Sequence, residues 1–230
     1  MTEKQWLTST DGVAMGRHWG NRFTERKARL IMLACCRRHP QYIKHPVLQA
    51  GVQMIVNHYA DSTRPDVVLE SEEARDIAAR VRENASARSR EPVYGIAFGV
   101  VVMVEPLSVM KEREHTFDYC IFSALTDISN AVGRKGMTDE RAAQAAIVRE
   151  VLGNPFKKPK PKIKAAWRTD TVMTLARQMY VSEEFSGMPI LADALQDAGC
   201  DNEDILSHCR DTLLTHVRGC WVLDLLFGKK

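Results

Sequence analysis

Two histidines and two cysteines near the carboxyl end of the chain have side chains that bind metal ions. They are His208, Cys209, His216 and Cys220. Imidazole nitrogen and thiolate sulfur are preferred ligands of Zn²⁺. A helix from His216 to Phe227 would place His216 and Cys220 at positions i and i+4 of one face, and the preceding helix would supply the other two. The stretch therefore allows a metal site or a thiol-dependent active site.

Ordinary packing explains the same four residues, and the sequence favours it. Their spacing is not that of a known zinc motif, and no Cys-x-x-Cys pair occurs in the chain. A buried cysteine behaves as a small hydrophobic residue, and a histidine caps a helix or lies at the surface. We therefore expect no cofactor, and the balance leans away from an enzyme.

A cluster of lysines forms a second candidate site, for nucleic acid. Its members alternate with two prolines and are Lys157, Lys158, Lys160, Lys162 and Lys164. Such clusters attract phosphates without sequence selectivity. The same composition is typical of an extended, solvated connector, and only Phe156 and Trp167 lie nearby to stack on bases. The connector is the favoured interpretation.

A third candidate site is a polar, partly aromatic face on the terminal helices, suited to a protein partner. Its residues are Trp167, Asp193, Asp197, Arg218 and Trp221. We expect a protein-interaction module without enzymatic activity. The alternatives are a nucleic-acid-associated helical protein that uses the lysines, and a metal- or thiol-dependent enzyme around 208–220.

Helix signals on both sides of these residues define the elements that must position them. Apolar residues from Leu191 to Ala198 share one helical face, Gly199 ends that helix, and Asn202 caps another that runs from Glu203 to Arg210. Upstream, a helix is expected to open near Thr138 and to end at Gly153. Asp224 interrupts the apolar run of the last helix, so its carboxylate must be paired or reach solvent. An ion pair with Arg218, Arg210, Arg37 or Arg38 is the favoured interpretation, and an acid in a pocket beside Trp221 is the functional alternative.

Helical periodicity recurs along the chain and predicts an all-α, multi-helix bundle. The stretch 93–104 is apolar and β-branched, so a strand is the alternative to the helix that we favour there. We expect an N-terminal bundle over 1–153, a Lys/Pro-rich connector over 154–166 and a C-terminal helical unit over 167–230. A single domain is the alternative.

Composition gives no partner by itself. The chain has 230 residues, with 32 basic and 29 acidic side chains and a formal net charge of +3. This balance is too even to indicate nucleic acid or a membrane surface. The amino terminus lacks a leader pattern and no apolar run is long enough to cross a bilayer, so we expect a cytoplasmic protein with reduced cysteines and no membrane partner. The sequence does not indicate an oligomeric state.

Several segments at the two ends of the chain carry a family resemblance. They are TEKQWL at 2–7, LACCRR at 33–38, GNPF at 153–156, ILADALQDAGCDNEDILSHCR at 190–210 and HVRGCWVLDLLFGKK at 216–230. Together they resemble a family that is expanded in planctomycete bacteria and has no established activity. The LADALQDAG segment is also similar to a helix of repeat-companion domains of the same bacteria. The resemblance implies motif boundaries and no mechanism.

Overall fold

Every element of the computed structural model is a helix over the residues that it describes, which are 1–19, 24–56, 72–87, 94–104 and 117–229. The α-helices are α1 (Glu3–Thr8), α2 (Gly12–Trp19), α3 (Glu25–Arg37), α4 (Pro46–Met54), α5 (Glu72–Ala87), α6 (Tyr94–Val104), α7 (Phe117–Ala131), α8 (Gly133–Leu152), α9 (Asp170–Ser182), α10 (Met188–Asp197), α11 (Glu203–Arg210) and α12 (Trp221–Phe227). Short 3₁₀ turns lie at Pro40–Tyr42, Ala165–Trp167 and Phe185–Gly187. The predicted all-α fold is confirmed.

Local capping explains where several helices begin. The Thr24 hydroxyl accepts the backbone N–H of Lys27 at the start of α3, and the Asn202 side chain accepts that of Ile205 at the start of α11. Such side chains satisfy amides that have no partner inside the helix. The prediction of α11 over Glu203–Arg210 is confirmed.

The apolar stretch 93–104, for which the sequence allowed either a helix or a strand, forms helix α6 from residue 94. Its side chains at Ile96, Ala97 and Val100 are fully buried, and the helix packs against α3, α5 and α7. A Cβ atom at Gly95 would lie 2.0 Å from the carbonyl oxygen of Asp127 on α7, so only glycine allows this approach. The favoured prediction of a helix is confirmed from residue 94 onward, and residue 93 lies outside the described part of the chain.

Buried apolar residues form two clusters. The first contains side chains between Trp6 and Leu152, and the second contains side chains between Trp167 and Leu226. The change of cluster falls within the predicted 154–166 connector. The predicted domain boundaries stay predictions, since packing alone does not test whether each part folds by itself.

A buried ion pair joins the two clusters. Arg26 on α3 donates to both carboxylate oxygens of Asp224 on α12, at 2.7 and 2.8 Å, and to the hydroxyl of Tyr180 at 2.8 Å. The prediction that Asp224 has an ion-pair partner is confirmed, but none of the four expected arginines is that partner. The reason is tertiary: α3 and α12 face each other, and residue 26 lies at the contact.

Two helix starts differ from the expected positions. The helix α8 begins at Gly133 and not near Thr138. The helix α12 begins at Trp221, so 216–220 is a loop, and His216 and Cys220 do not share a helical face. Gly219 in this loop has a φ of +96°, which a right-handed helix excludes. Over the described ranges, no helix is long and apolar enough to cross a bilayer.

Candidate metal centre

Four side chains from three separate segments converge at the junction of the two clusters. Glu150 lies in the last turn of α8, His208 lies in the last turn of α11, and His216 and Cys220 lie in the loop before α12. One ligand atom from each residue lies within 4.8 Å of every other. Three of these residues were metal candidates from the sequence, and Glu150 was not.

Local structure explains why the end of α8 meets these residues. Gly153 ends α8 with a φ of +68°, and a Cβ atom there would lie 3.3 Å from the indole of Trp221. The chain end of α8 therefore packs directly on the first residue of α12. This contact places Glu150 beside the loop that carries His216 and Cys220.

The carboxylate of Glu150 lies between two imidazole rings. Its Oε1 is 2.9 Å from Nδ1 of His216, and its Oε2 is 3.3 Å from Nε2 of His208. The same Nε2 lies 3.3 Å from the Sγ atom of Cys220. On the other side of the His208 ring, Trp221 donates its indole N–H to Nδ1 at 3.2 Å.

These contacts indicate which nitrogen of each ring carries a proton toward Glu150. Because Nδ1 of His208 accepts from Trp221, its proton lies on Nε2 and points at Glu150 and Cys220. His216 carries its proton on Nδ1, toward Glu150. Its Nε2 is buried, and among the described residues it has no hydrogen-bond partner. The carboxylate thus accepts an N–H from each ring.

Burial and the two histidines act in opposite directions on Glu150. Burial alone would raise the pKa of this carboxyl, but the contacts with His208 and His216 lower it to about 2. Burial and the neighbouring Glu150 carboxylate raise the pKa of the Cys220 thiol well above its usual value. The cluster at neutral pH therefore holds a carboxylate and a protonated thiol.

The geometry does not form a cysteine-type catalytic relay. In such a relay the thiol and the acid contact different nitrogens of one histidine. Here Cys220 and Glu150 both face Nε2 of His208, and Cys220 is 0% exposed. A thiol in this position is neither ionised nor accessible to a substrate.

The same donor set matches a tetrahedral divalent metal. Zn–N bonds of about 2.0 Å and Zn–S bonds of about 2.3 Å place neighbouring ligand atoms about 3.3–3.8 Å apart. Three contacts in the cluster, at 2.9, 3.3 and 3.3 Å, are near that spacing, with the first two made by different oxygens of Glu150. All four ligand atoms lie within 4.8 Å of one another. A carboxylate and a thiolate together balance the charge of a divalent ion, and the histidines bind it as neutral rings.

Metal binding requires a local change at His208, His216 and Cys220. Cys220 has to release its proton, and the two ring nitrogens that face Glu150, Nε2 of His208 and Nδ1 of His216, have to lose the protons that they now carry. The proton of His208 then moves toward Nδ1, so the indole N–H of Trp221 has to turn away. Trp221 is only half-buried and borders a cavity of about 670 Å³, which provides the space.

Cys209, the fourth metal candidate from the sequence, does not belong to this cluster. It is fully buried in the second apolar cluster, and burial raises its pKa to about 12. It follows His208 on α11 and therefore points to a different side of the helix. Its role is packing.

The residues predicted to form a protein-binding face differ in how exposed they are, and two of them are buried. Trp167 and Arg218 are only 3% and 7% exposed. The Trp167 indole donates to the carbonyl of Gly199, and Arg218 donates to the carbonyls of Val56 and Tyr180. These two do not belong to an exposed face, because both side chains are buried and their N–H donors bind backbone carbonyls.

The other three members of that face are accessible. Asp193 and Asp197 are exposed and Trp221 is half-buried. Protein binding by the terminal helices stays a prediction, over this narrower set of residues.

The lysine cluster is exposed and partly neutralised. Lys157 pairs with Asp204 at 2.9 Å, and Lys164 pairs with Asp201 at 3.0 Å. Lys158, Lys160 and Lys162 are exposed without an ion pair to a described residue. The pairs attach the connector to α11 and its preceding turn. Nucleic-acid binding stays a prediction, with fewer free charges than the sequence suggested.

Sequence reasoning missed Glu150 although a signal was present. The end of α8 reads IVREVL, in which an acid lies among four apolar residues. A carboxylate at such a position needs a partner when the helix is buried. The signal predicts a partner but does not identify it, because His216 lies 66 positions further along the chain.

No protein-family model matches this chain, and no curated protein or solved structure matches it either. The resemblance to the planctomycete family stays a prediction. Function has to be argued from the site itself.

Proposed function

We propose that this protein binds one divalent metal ion of the Zn²⁺ class through Glu150, His208, His216 and Cys220. The observation that supports this is the convergence of a carboxylate, two imidazoles and a thiol within 4.8 Å, at a buried position. Soft sulfur and imidazole ligands together select Zn²⁺ over Mg²⁺ or Ca²⁺, which prefer oxygen ligands.

The proposed role of the ion is structural. Four protein ligands fill a tetrahedral shell and leave no open position for a substrate. Glu150 comes from the helix that ends the first apolar cluster, and the other three ligands come from α11 and from the loop before α12. The ion would therefore fasten the C-terminal helices to the N-terminal bundle.

Metal content of purified variants tests the proposal. The chain is stripped with a chelator, dialysed against Zn²⁺ and analysed for bound metal, with circular dichroism to confirm helical folding. We expect about one equivalent of zinc in the unaltered protein, and less than about a tenth of an equivalent in Glu150→Gln and Cys220→Ser, because each removes an anionic ligand.

The chain provides a matched control for each variant. Glu140→Gln alters another glutamate of α8 that is also 3% exposed and also lies beside a histidine, His39, at 3.0 Å. Cys209→Ser alters a fully buried cysteine next to His208. Both controls should keep the zinc. Absence of zinc from the unaltered protein, or equal loss in the controls, would overturn the proposal.

A further inference from the structure

A cavity of about 670 Å³ lies beside the proposed metal centre, between the two apolar clusters. Its walls come from α1, α3, the end of α8, the lysine connector, α11 and α12. Small-molecule sites typically measure about 300–1,000 Å³ and occur where structural units meet. Size and position therefore suit a ligand rather than a packing defect.

Two partly buried cations on the wall have no carboxylate partner among the described residues. Lys27 donates to the carbonyl of Val151 at 3.2 Å, and Arg149 donates to the carbonyls of Trp6 and Ser9 at 3.2 and 2.8 Å. Burial lowers the pKa of both groups. A carbonyl satisfies an N–H donor but does not compensate a full positive charge.

A third cation, Lys160 of the connector, faces the same cavity. It forms no ion pair within the described part of the chain. Burial lowers the pKa of Lys27, the Asp224 carboxylate opposes that shift, and the positive charges of Arg26 and Lys160 add to it. An anion between Lys27 and Lys160 would relieve the repulsion between their charges.

The buried acids on the wall, in contrast, already have cationic or N–H partners. Glu150 accepts from two histidines, and Asp224 is held by both nitrogens of Arg26. Asp204 pairs with Lys157. Glu3 and Asp211 are exposed, as is Lys160, and water and salt screen all three charges. Lys27 and Lys160 therefore remain on the wall without an ion pair to a described residue and can bind an anionic group.

Apolar side chains provide the remaining wall. The half-buried indole of Trp221 and the side chains of Leu152 and Leu225 border the cavity. An indole contributes a large contact area to an aromatic or aliphatic group. The site combines a cationic side with an apolar one.

We propose that this cavity binds a small organic anion, with its phosphate or carboxylate group against Lys27 and Lys160 and its apolar body against Trp221. The inference goes beyond metal binding, and neither lysine belongs to the ligand set. Trp221 borders both sites, so anion binding is compared with and without zinc. The lysines would bind the anionic group of such a ligand, and the apolar wall would contact its body.

Calorimetric titration with matched probes tests the class of ligand. The probes are phenyl phosphate, benzoate, inorganic phosphate, benzyl alcohol and benzylamine, each added to chelator-treated and to zinc-loaded protein. We expect phenyl phosphate and benzoate to bind, with inorganic phosphate weaker because it lacks the apolar body. The alcohol and the amine should bind at least about tenfold more weakly, because neither brings an anionic acceptor to the lysines.

Lysine variants locate the site. Lys27→Met and Lys160→Gln should each weaken phenyl phosphate about tenfold. Lys162→Gln removes an equal charge two positions further along the connector, outside the cavity, and should leave affinity unchanged. Since Lys160 is exposed, its variant is expected to fold even if the Lys27 variant does not.

Three outcomes would overturn the proposal. They are equal affinity for benzylamine and phenyl phosphate, equal weakening by Lys162→Gln and Lys160→Gln, and absence of binding by either organic anion. A protein that binds phenyl phosphate without binding zinc would contradict the metal proposal alone, and the converse would contradict the cavity proposal alone.

Discussion

Glu140 and Glu150 lie on the same helix and are equally buried, but their surroundings differ in kind. Glu140 lies beside Arg38 and His39, which supply a charged guanidinium and one ring. Glu150 has no guanidinium and instead meets two rings and a thiol. The first environment compensates a carboxylate by itself, whereas the second contains three further metal ligands. For this reason we expect Glu150 to bind a metal ion and Glu140 not to bind one.

Glu140 should stabilise the fold in a pH-dependent way. Burial opposes its ionisation, but His39 and Arg38 lower its pKa below the usual 4.5. Because the folded-state pKa is depressed, the stabilisation is present above about pH 4.5 and is lost as the pH falls through the folded-state value. Glu140→Gln should therefore cost about 1–3 kcal/mol at pH 7.

Urea unfolding of both proteins across this pH range measures the effect. The difference in unfolding free energy between the unaltered protein and Glu140→Gln should shrink as the pH falls below 4.5. A difference that stays constant, or that grows in acid, would contradict the assigned ion pairs.

Among the contacts between helices, the buried ion pair of Arg26 with Asp224 links α3 to α12. Asp224→Ala would leave the buried guanidinium without an anion, and should cost about 3–5 kcal/mol in unfolding free energy. The double variant Arg26→Met with Asp224→Leu removes both charges and should recover most of that loss. Chemical denaturation of Arg26→Met, Asp224→Leu and the double variant completes a double-mutant cycle, and additive losses would refute the pairing.

Local chemistry made much of the helical framework predictable. Asn202 as a cap and the apolar face from Leu191 predicted α10 and α11 because capping and periodicity act over a few residues. The start of α12 was not predictable in this way. The loop 216–220 points His216 toward α8 and Arg218 toward a carbonyl of α9, and these distant contacts override the helical pattern.

The candidate site was predictable only in part for the same reason. His208, His216 and Cys220 are recognisable by type, and Cys209 is equally plausible until the helix shows which way it points. Glu150 joins the site through a contact between segments that are distant in sequence. The spacing of residues along the chain therefore does not reveal that it lies beside His216. Similarly, the sequence does not show that Trp167 and Arg218 are buried, because their backbone carbonyl partners lie 32 and 38 positions away along the chain.

Across the whole molecule, the metal centre, the Arg26–Asp224 pair and the cavity all lie where the two apolar clusters meet. Zinc bound there should stabilise the folded chain by mass action, by about 2.7 kcal/mol at a free concentration one hundredfold above Kd. Hydrogen exchange should show the largest zinc-dependent protection in α11 and α12, with little change in α6. Uniform protection, or protection that persists in Cys220→Ser, would contradict the proposed location.

The absorption spectrum of the cobalt-substituted protein tests the central claim most directly. Co²⁺ replaces Zn²⁺ in such sites, and its visible bands report tetrahedral geometry while a near-ultraviolet band reports a thiolate bond. We expect both signals in the unaltered protein and in Cys209→Ser, and loss of the thiolate band in Cys220→Ser. Absence of both signals from the unaltered protein, or a thiolate band that survives in Cys220→Ser, would contradict a metal centre at Glu150, His208, His216 and Cys220.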